Sequence, residues 1–283
     1  MTSENTAMDV WAERVARRWN LELQQTILDG GDRAVFRVDT PRGPGGLKLN
    51  RKLGSEGGAV PFLRGLPDGI AVKLWRVSPL RRAILMEWLD GPTLEDLYHS
   101  GRQQEAEKHL VATAAALKKV PFRHAFMFPR LAKQMQNKLD RAKRATCEGP
   151  NADLFLRTQR LLHRLMVTTR SETVIHGDLS YRNIILTPDG PRFIDPKGYR
   201  ADPAMDMALA LPDPGKQTDP AHFADQITRR ADVFAPEIGE SAERLIQWAA
   251  VTRAVRQFFR SSRGQQPVAA DQYIKILLDL AGA

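Results

Sequence analysis

The chain's 283 residues, 42% of them hydrophobic, suffice for a sizeable core and for either one large domain or two lobes sharing a cleft. A single cysteine, Cys147, excludes an intrachain disulfide and a cysteine zinc cluster, and agrees with a reducing, cytoplasmic setting. Lys and Arg exceed Asp and Glu by 42 to 33, and the resulting +9 favours phosphorylated or polyanionic ligands without specifying nucleic acid.

No apolar run approaches the roughly 20 residues of a membrane helix. The longest, VATAAAL at 111–117, reads as small-residue helix core, so no membrane partner is expected. The opening MTSENTAMDVWAERVARRW has no hydrophobic signal core, and Glu4, Asp9 and Glu13 argue against a transit peptide. Trp11, Val15 and Trp19 share one helix face, which is expected to pack on the protein itself. Five short β-rich runs follow, LQQTIL, RAVFRV, GLKLN, IAVKLW and RAILMEWL, separated by DGGD, TPRGPGG, LPDG and SPL. They predict a five-stranded antiparallel sheet.

Near residue 90 the pattern turns helical. Apolar residues at spacings of three and four mark 103–119, 129–145, 152–168, 220–234, 241–261 and 269–281. The densest basic stretch, KQMQNKLDRAKR at 133–144, has helical spacing and almost no aromatics, so it reads as a solvated helix face and no nucleic-acid partner is expected. Inside this helical half lies VIHGDLSYRNIIL at 174–186, continued by NIILTPDGPRFID, which predicts a hairpin turning at Pro188-Asp189-Gly190.

In that stretch apolar, strand-like residues flank a loop carrying Asp178 and, five positions later, Asn183. Phosphoryl transfer needs a carboxylate to orient the attacking hydroxyl, ligands for magnesium on the nucleotide phosphates, and a cation on those phosphates. Asp178 suits the first role. Asn183 offers a neutral oxygen and Asp195, across the hairpin, a charged one; both donor types suit magnesium. A lone His-Gly-Asp is often a capped turn and a lone FIDP a strand end, but their order behind a β-rich half points to a kinase-like phosphate site. His176 reads as a structural residue that holds the loop by hydrogen bonds. The fold class expected is α+β, a bilobal protein-kinase-like fold: residues 1–86 a β-rich nucleotide-covering lobe, 87–92 a connector, and 93–283 a mostly helical lobe with the catalytic and metal-binding loops.

VIHGDLSYRNIIL, RFIDPKG and ADPAMD resemble the aminoglycoside phosphotransferase superfamily, and IDPKG followed by DPAMD is most similar to its streptomycin 6-kinase and hydroxyurea phosphotransferase branch. The resemblance implies ATP and Mg2+ as cofactors, Asp178 as catalytic base, Asn183 and Asp195 as metal ligands, and Asp202 and Asp206 as acids bracing the catalytic loop. It also implies Lys48 on the nucleotide phosphates, Gly30 and Gly31 in the covering hairpin, Met86 lining the pocket, and the backbone of Glu87, Trp88 and Leu89 at the adenine edge. The family's helix glutamate, partner of Lys48, falls by spacing near Ala59, and the nearest acid is Glu56, one turn earlier on a helix weakened by Gly57, Gly58 and Pro61. Ser180 stands where the branch usually has histidine. Arg182 replaces a small residue, and its guanidinium fork can grip phosphate.

The function expected is ATP- and Mg-dependent phosphorylation of a hydroxyl or amine of a small molecule, with antibiotic-like compounds among the candidate acceptors. A polycationic aminoglycoside fits a +9 chain poorly, although Asp202, Asp206, Asp213, Asp219 and Asp225 offer material for an anionic patch. Two other readings stand beside it. One is a nucleotide-binding pseudokinase serving as an interaction module, under which alone a protein partner enters. The other is a protein kinase, disfavoured because only eleven residues separate Asp195 from Asp206.

Overall fold

Two apolar surfaces need cover in this chain, one face of a sheet and the interior of a helical bundle. The computed structural model describes all residues except 1–2, 31–32, 52–56, 147–149, 214–218 and 268. Helix α1 (Ser3–Trp19) buries Met8, Ala12, Val15 and Trp19, a stripe at spacings of three and four, with Trp11 half-buried beside it. That stripe covers a sheet of β1 (Glu22–Gly30), β2 (Arg33–Thr40), β3 (Gly43–Asn50), β4 (Leu74–Ser78) and β5 (Ala83–Glu87). The strand order is β1-β2-β3-β5-β4 and every pair is antiparallel. Ala34, Phe36 and Val38 alternate inward along β2 and meet Leu47 and Leu49 of β3. Arg76 and Arg82 stack over the Trp19 and Trp11 rings at 4.9 and 4.8 Å and seal the helix edge.

The run IAVKLW is displaced from its predicted strand, because the backbone of Ile70 and Val72 bonds to Phe193 instead, and β4 begins only at Leu74. Helix α2 (Ala59–Gly65) likewise faces away from the sheet. Its Phe62 is fully buried in the large core, stacked on Phe122 at 5.5 Å and edge-on to His176 at 5.9 Å. Packing therefore crosses the lobe division drawn at residue 86: Phe62 and Ala71, on the small-lobe side, belong to the core of the large one.

The large lobe contains α3 (Leu94–His99), α4 (Gln103–Lys118), α5 (Leu131–Thr146), α6 (Ala152–Thr168), α7 (Ala204–Ala210), α8 (Pro220–Glu237), α9 (Ala242–Ser261) and α10 (Asp271–Leu280). All six helices marked by periodicity form within three residues of their expected ends. Helix α9 is buried nearly all round and packs against α5, α6, α7, α8 and α10, as an axial helix must. Two small antiparallel pairs sit at the top of this lobe: β6 (Thr173–Ile175) with β9 (Tyr199–Ala201), and the hairpin of β7 (Ile184–Thr187) and β8 (Gly190–Phe193). Pro188 and Asp189 form the turn, where composition placed it.

Candidate active site

Strands β6 and β7 pair with β9 and β8 rather than with each other, and the chain between them forms a loop. Gly177 has φ +79, and a Cβ there would lie 2.4 Å from the Tyr199 ring; only glycine fits between His176 and Asp178. The loop is fastened at its root by Asp206, which accepts from the backbone N–H of His176 at 2.7 Å and of Gly177 at 2.8 Å. Burial pushes the Asp206 carboxyl up to about 7, against the pull of those two donors. His176 is also fully enclosed, and desolvation lowers its imidazole to about 4, so it is neutral near pH 7 and bonds the Ile194 carbonyl at 3.0 Å.

Asp178 emerges half-buried from this loop. Burial raises its carboxyl, while Lys197, Arg182 and Arg33 pull the other way. Asn183 is buried, and its Nδ2 donates to the Asp178 carbonyl at 2.8 Å, which ties both ends of the loop together and leaves the amide oxygen for other partners.

Asp195 follows β8 with φ +53, a strained conformation for an aspartate that fixes where its carboxylate points. Lys48, buried on β3, reaches across the lobes to Asp195 Oδ1 at 2.6 Å, Arg33 meets Oδ2 at 2.6 Å, and Lys197 lies 3.3 Å from Oδ1. Burial opposes ionisation of this carboxyl, but Lys48, Lys197 and Arg33 hold it down at about 2. Lys48, Asn183 and Asp195 line one cavity of about 330 Å³ between the lobes, walled by Val35, Ile84, Met86, Trp88, Leu89, Ile185 and Ile194. An apolar slot with charge gathered at one end suits a flat base and a phosphate tail. The donor set also suits magnesium, which uses few protein oxygens and keeps its waters; Asn183 and Asp195 are the residues that would hold it. Among the described residues, no cluster of three or more His, Cys, Asp or Glu offers a competing metal site.

The connector differs in detail from expectation. The amides of Glu87 and Trp88 bond the carbonyls of Lys73 and Pro44, at 3.0 and 3.1 Å, so these two are already engaged within the protein. The Glu87 side chain accepts from the Lys73 amide at 2.6 Å and from Arg192, which stitches connector to hairpin. Gly30 ends β1 opposite Arg33 at the cavity mouth; Gly31 and Glu56 lie outside the described residues.

Arg182 is 61% exposed and 3.9 Å from Asp178 Oδ1, and it is not among the residues that line the nucleotide-sized cavity. Asp202 faces away from the loop that Asp206 braces. It bonds the α7 amide of Ala204 at 3.0 Å, the Thr169 hydroxyl at 3.0 Å and Arg244 at 2.6 Å, so its bracing acts on α7 and α9.

The comparisons with known proteins fit this geometry. The family model for aminoglycoside/hydroxyurea antibiotic resistance kinases matches residues 18–260, most of the chain. The chain belongs to this family. It is thus a phosphotransferase of the small-molecule kinase type. No curated protein sequence matches it. Among solved structures, it is similar to aminoglycoside phosphotransferase APH(4)-Ia, with a TM-score of 0.73 and 12% identity over 97% of this chain and 99% of that one. A thermostable mutant of the same enzyme, in ternary complex with ADP and hygromycin B, matches with a TM-score of 0.71 and 10% identity, covering 96% and 98% of the two chains. Choline kinase LicA from Streptococcus pneumoniae matches with a TM-score of 0.67 and 13% identity, covering 98% and 100%. At such identities these likenesses establish the protein-kinase-like fold.

Two residues at the site escaped sequence reasoning. Arg33 directly follows the quoted DGGD turn, and Lys197 stands inside the quoted RFIDPKG. Lys197, two residues after the proposed metal-binding Asp195, was a usable signal, whereas Arg33 reaches Asp195 from 162 residues away and gave none. Gly58, read in the sequence only as weakening the helix, has a packing role: a Cβ on it would lie 1.9 Å from the Gly198 carbonyl oxygen, so the two backbones touch where α2 begins.

Proposed function

We propose that the chain transfers the γ-phosphoryl group of ATP, in a magnesium-dependent reaction, to a hydroxyl of a small molecule. The observation that carries this reading is the bond from Lys48 to Asp195 across the lobes, at the charged end of a cavity that Asn183 also lines. In this reading the adenine lies against Met86 and Leu89, and the phosphates run towards Lys48 and Arg33. Asn183 and Asp195 would hold the magnesium, which would supply neutralisation of the charge developing on the phosphates.

Asp178 accepts a hydrogen bond from the acceptor hydroxyl and takes its proton as the oxygen attacks phosphorus and the bond to the departing ADP breaks. Burial raises its pKa, which makes it a better proton acceptor than an ordinary carboxylate. Asp206 and neutral His176 hold the loop backbone, which keeps Asp178 and Asn183 in register.

The test is ligand-dependent stability. MgATP should raise the melting temperature of the parent chain, and Asp195→Ala should lose the magnesium-dependent part of that rise, because a ligand stabilises only through its affinity for the folded state. Equal shifts with MgATP in both proteins would argue that Asp195 is a structural partner of Lys48 and Arg33 and would remove the metal role.

A further inference from the structure

Resting on the phosphotransfer reading, we propose that the acceptor carries an anionic group, a carboxylate or phosphate, close to the hydroxyl that is phosphorylated, and that Arg182 binds it. The turn from Tyr181 to Asn183 divides two environments. Asn183 points inward, buried, to the nucleotide cavity. One residue earlier, Arg182 is exposed, outside that lining, yet 3.9 Å from the Asp178 carboxylate. In the proposed pose, a hydroxyl held by Asp178 for attack on the nucleotide's terminal phosphate has a neighbouring substituent within reach of Arg182, which lies on the solvent side of that carboxylate. The planar guanidinium fork there matches a carboxylate or phosphate in geometry as well as charge.

Four of the five acids that the sequence offered to a cationic acceptor are engaged elsewhere. Asp206 is buried on two backbone amides, and Asp202 is buried on Arg244. Asp213 lies 3.7 Å from Arg256, and Asp219 caps α8. Glu107, whose charge acts on Tyr181, is bridged by Arg230 at 2.9 Å and by Arg229, itself 52% exposed, at 3.4 Å. Among the described residues, Asp202, Asp206, Asp213 and Asp219 are therefore held by other partners rather than presented to an acceptor beside Asp178. Around that carboxylate stand three cations, Lys197, Arg182 and Arg33, against Asp195 and the buried Asp206. Such a field repels polycations and draws anions in.

The experiment offers the full chain and MgATP to three sets of alcohols: hydroxy acids and sugar phosphates, neutral polyols and nucleosides, and aminoglycosides. Phosphorylated products are read by mass spectrometry. Transfer should favour the first set, and whether carboxylates or phosphates dominate identifies the anion. For the best acceptor, Arg182→Glu should raise KM roughly 10- to 100-fold, the range of a charged hydrogen bond, with Arg182→Lys in between and the KM for MgATP unchanged.

A neutral or cationic best acceptor would overturn the proposal while leaving phosphotransfer intact. An equal rise in the KM for MgATP would also overturn it, by assigning Arg182 to the nucleotide. No transfer to any set, together with no stabilisation by MgATP, would bring down the phosphotransfer reading as well.

Discussion

Gly58→Ala tests whether α2 and the segment after Asp195 act as one unit. Gly58 has φ −91 and ψ −21, a conformation open to alanine, so the backbone itself is not strained by the change. The added Cβ would lie 1.9 Å from the Gly198 oxygen and 2.4 Å from the Lys197 oxygen, both backbone atoms. Reaching the 3.4 Å of ordinary contact means opening the pair by about 1.5 Å. Overpacking of this kind costs about 1–3 kcal/mol, and alanine's better helix propensity returns at most about 1 kcal/mol at the helix start.

The larger effect falls on chemistry. Lys197 and Gly198 bond the His176 carbonyl at 2.8 and 3.1 Å, and Phe62 of α2 touches the His176 ring, so the shift reaches both Asp195 and the Asp178 loop. A misplacement of about 1 Å at a reacting centre costs on the order of 10²-fold in rate. Urea unfolding and steady-state kinetics on one preparation would measure both effects. A variant with parental turnover and stability within about 0.5 kcal/mol would refute the view that this glycine contact sets the active geometry.

Two predictions concern pH. The folded pKa of Asp206, about 7, lies above its ordinary 3.8, so the native state holds its proton longer than the unfolded chain and this group's contribution to stability is lost as pH rises through 7. Asp206→Asn should therefore gain stability relative to the parent between pH 4 and 7, by up to about 4 kcal/mol in denaturant titrations, on top of a pH-independent loss of one acceptor. A difference that stays flat over that range would contradict the burial argument. For Asp178, a raised pKa keeps the proton on to higher pH, so kcat/KM should climb through a value above the ordinary carboxylate range. An acid limb at or below that range would count against Asp178 as the base.

Much of the molecule was legible because its signals are local. Helix spans followed from apolar spacing, and the hairpin turn from Pro188-Asp189-Gly190. Asp178, Asn183 and Asp195 stood out because their types and order match the needs of phosphate chemistry; Asn183 and Asp195 line one cavity, and Asn183 bonds the Asp178 carbonyl beside it. Long-range pairing was not legible. The IAVKLW run satisfies strand chemistry, but its first half hydrogen-bonds to Phe193, more than a hundred residues away. The orientation of α2 depends on Phe62 finding His176 and Phe122 rather than the sheet. Asp202 and Asp206 lie four residues apart and look equivalent in sequence, yet one faces the catalytic loop and the other Arg244. Only the packing of α7 separates them.

The central claim is that Asp178 acts on an acceptor hydroxyl beside a bound nucleotide. The most direct measurement compares Asp178→Asn with the parent for MgATP affinity by calorimetry and for phosphoryl transfer to the best acceptor by single-turnover kinetics. The account predicts near-parental MgATP affinity with transfer reduced roughly 10²- to 10⁴-fold, the contribution typical of a positioned general base. Parental transfer by the asparagine variant would contradict it.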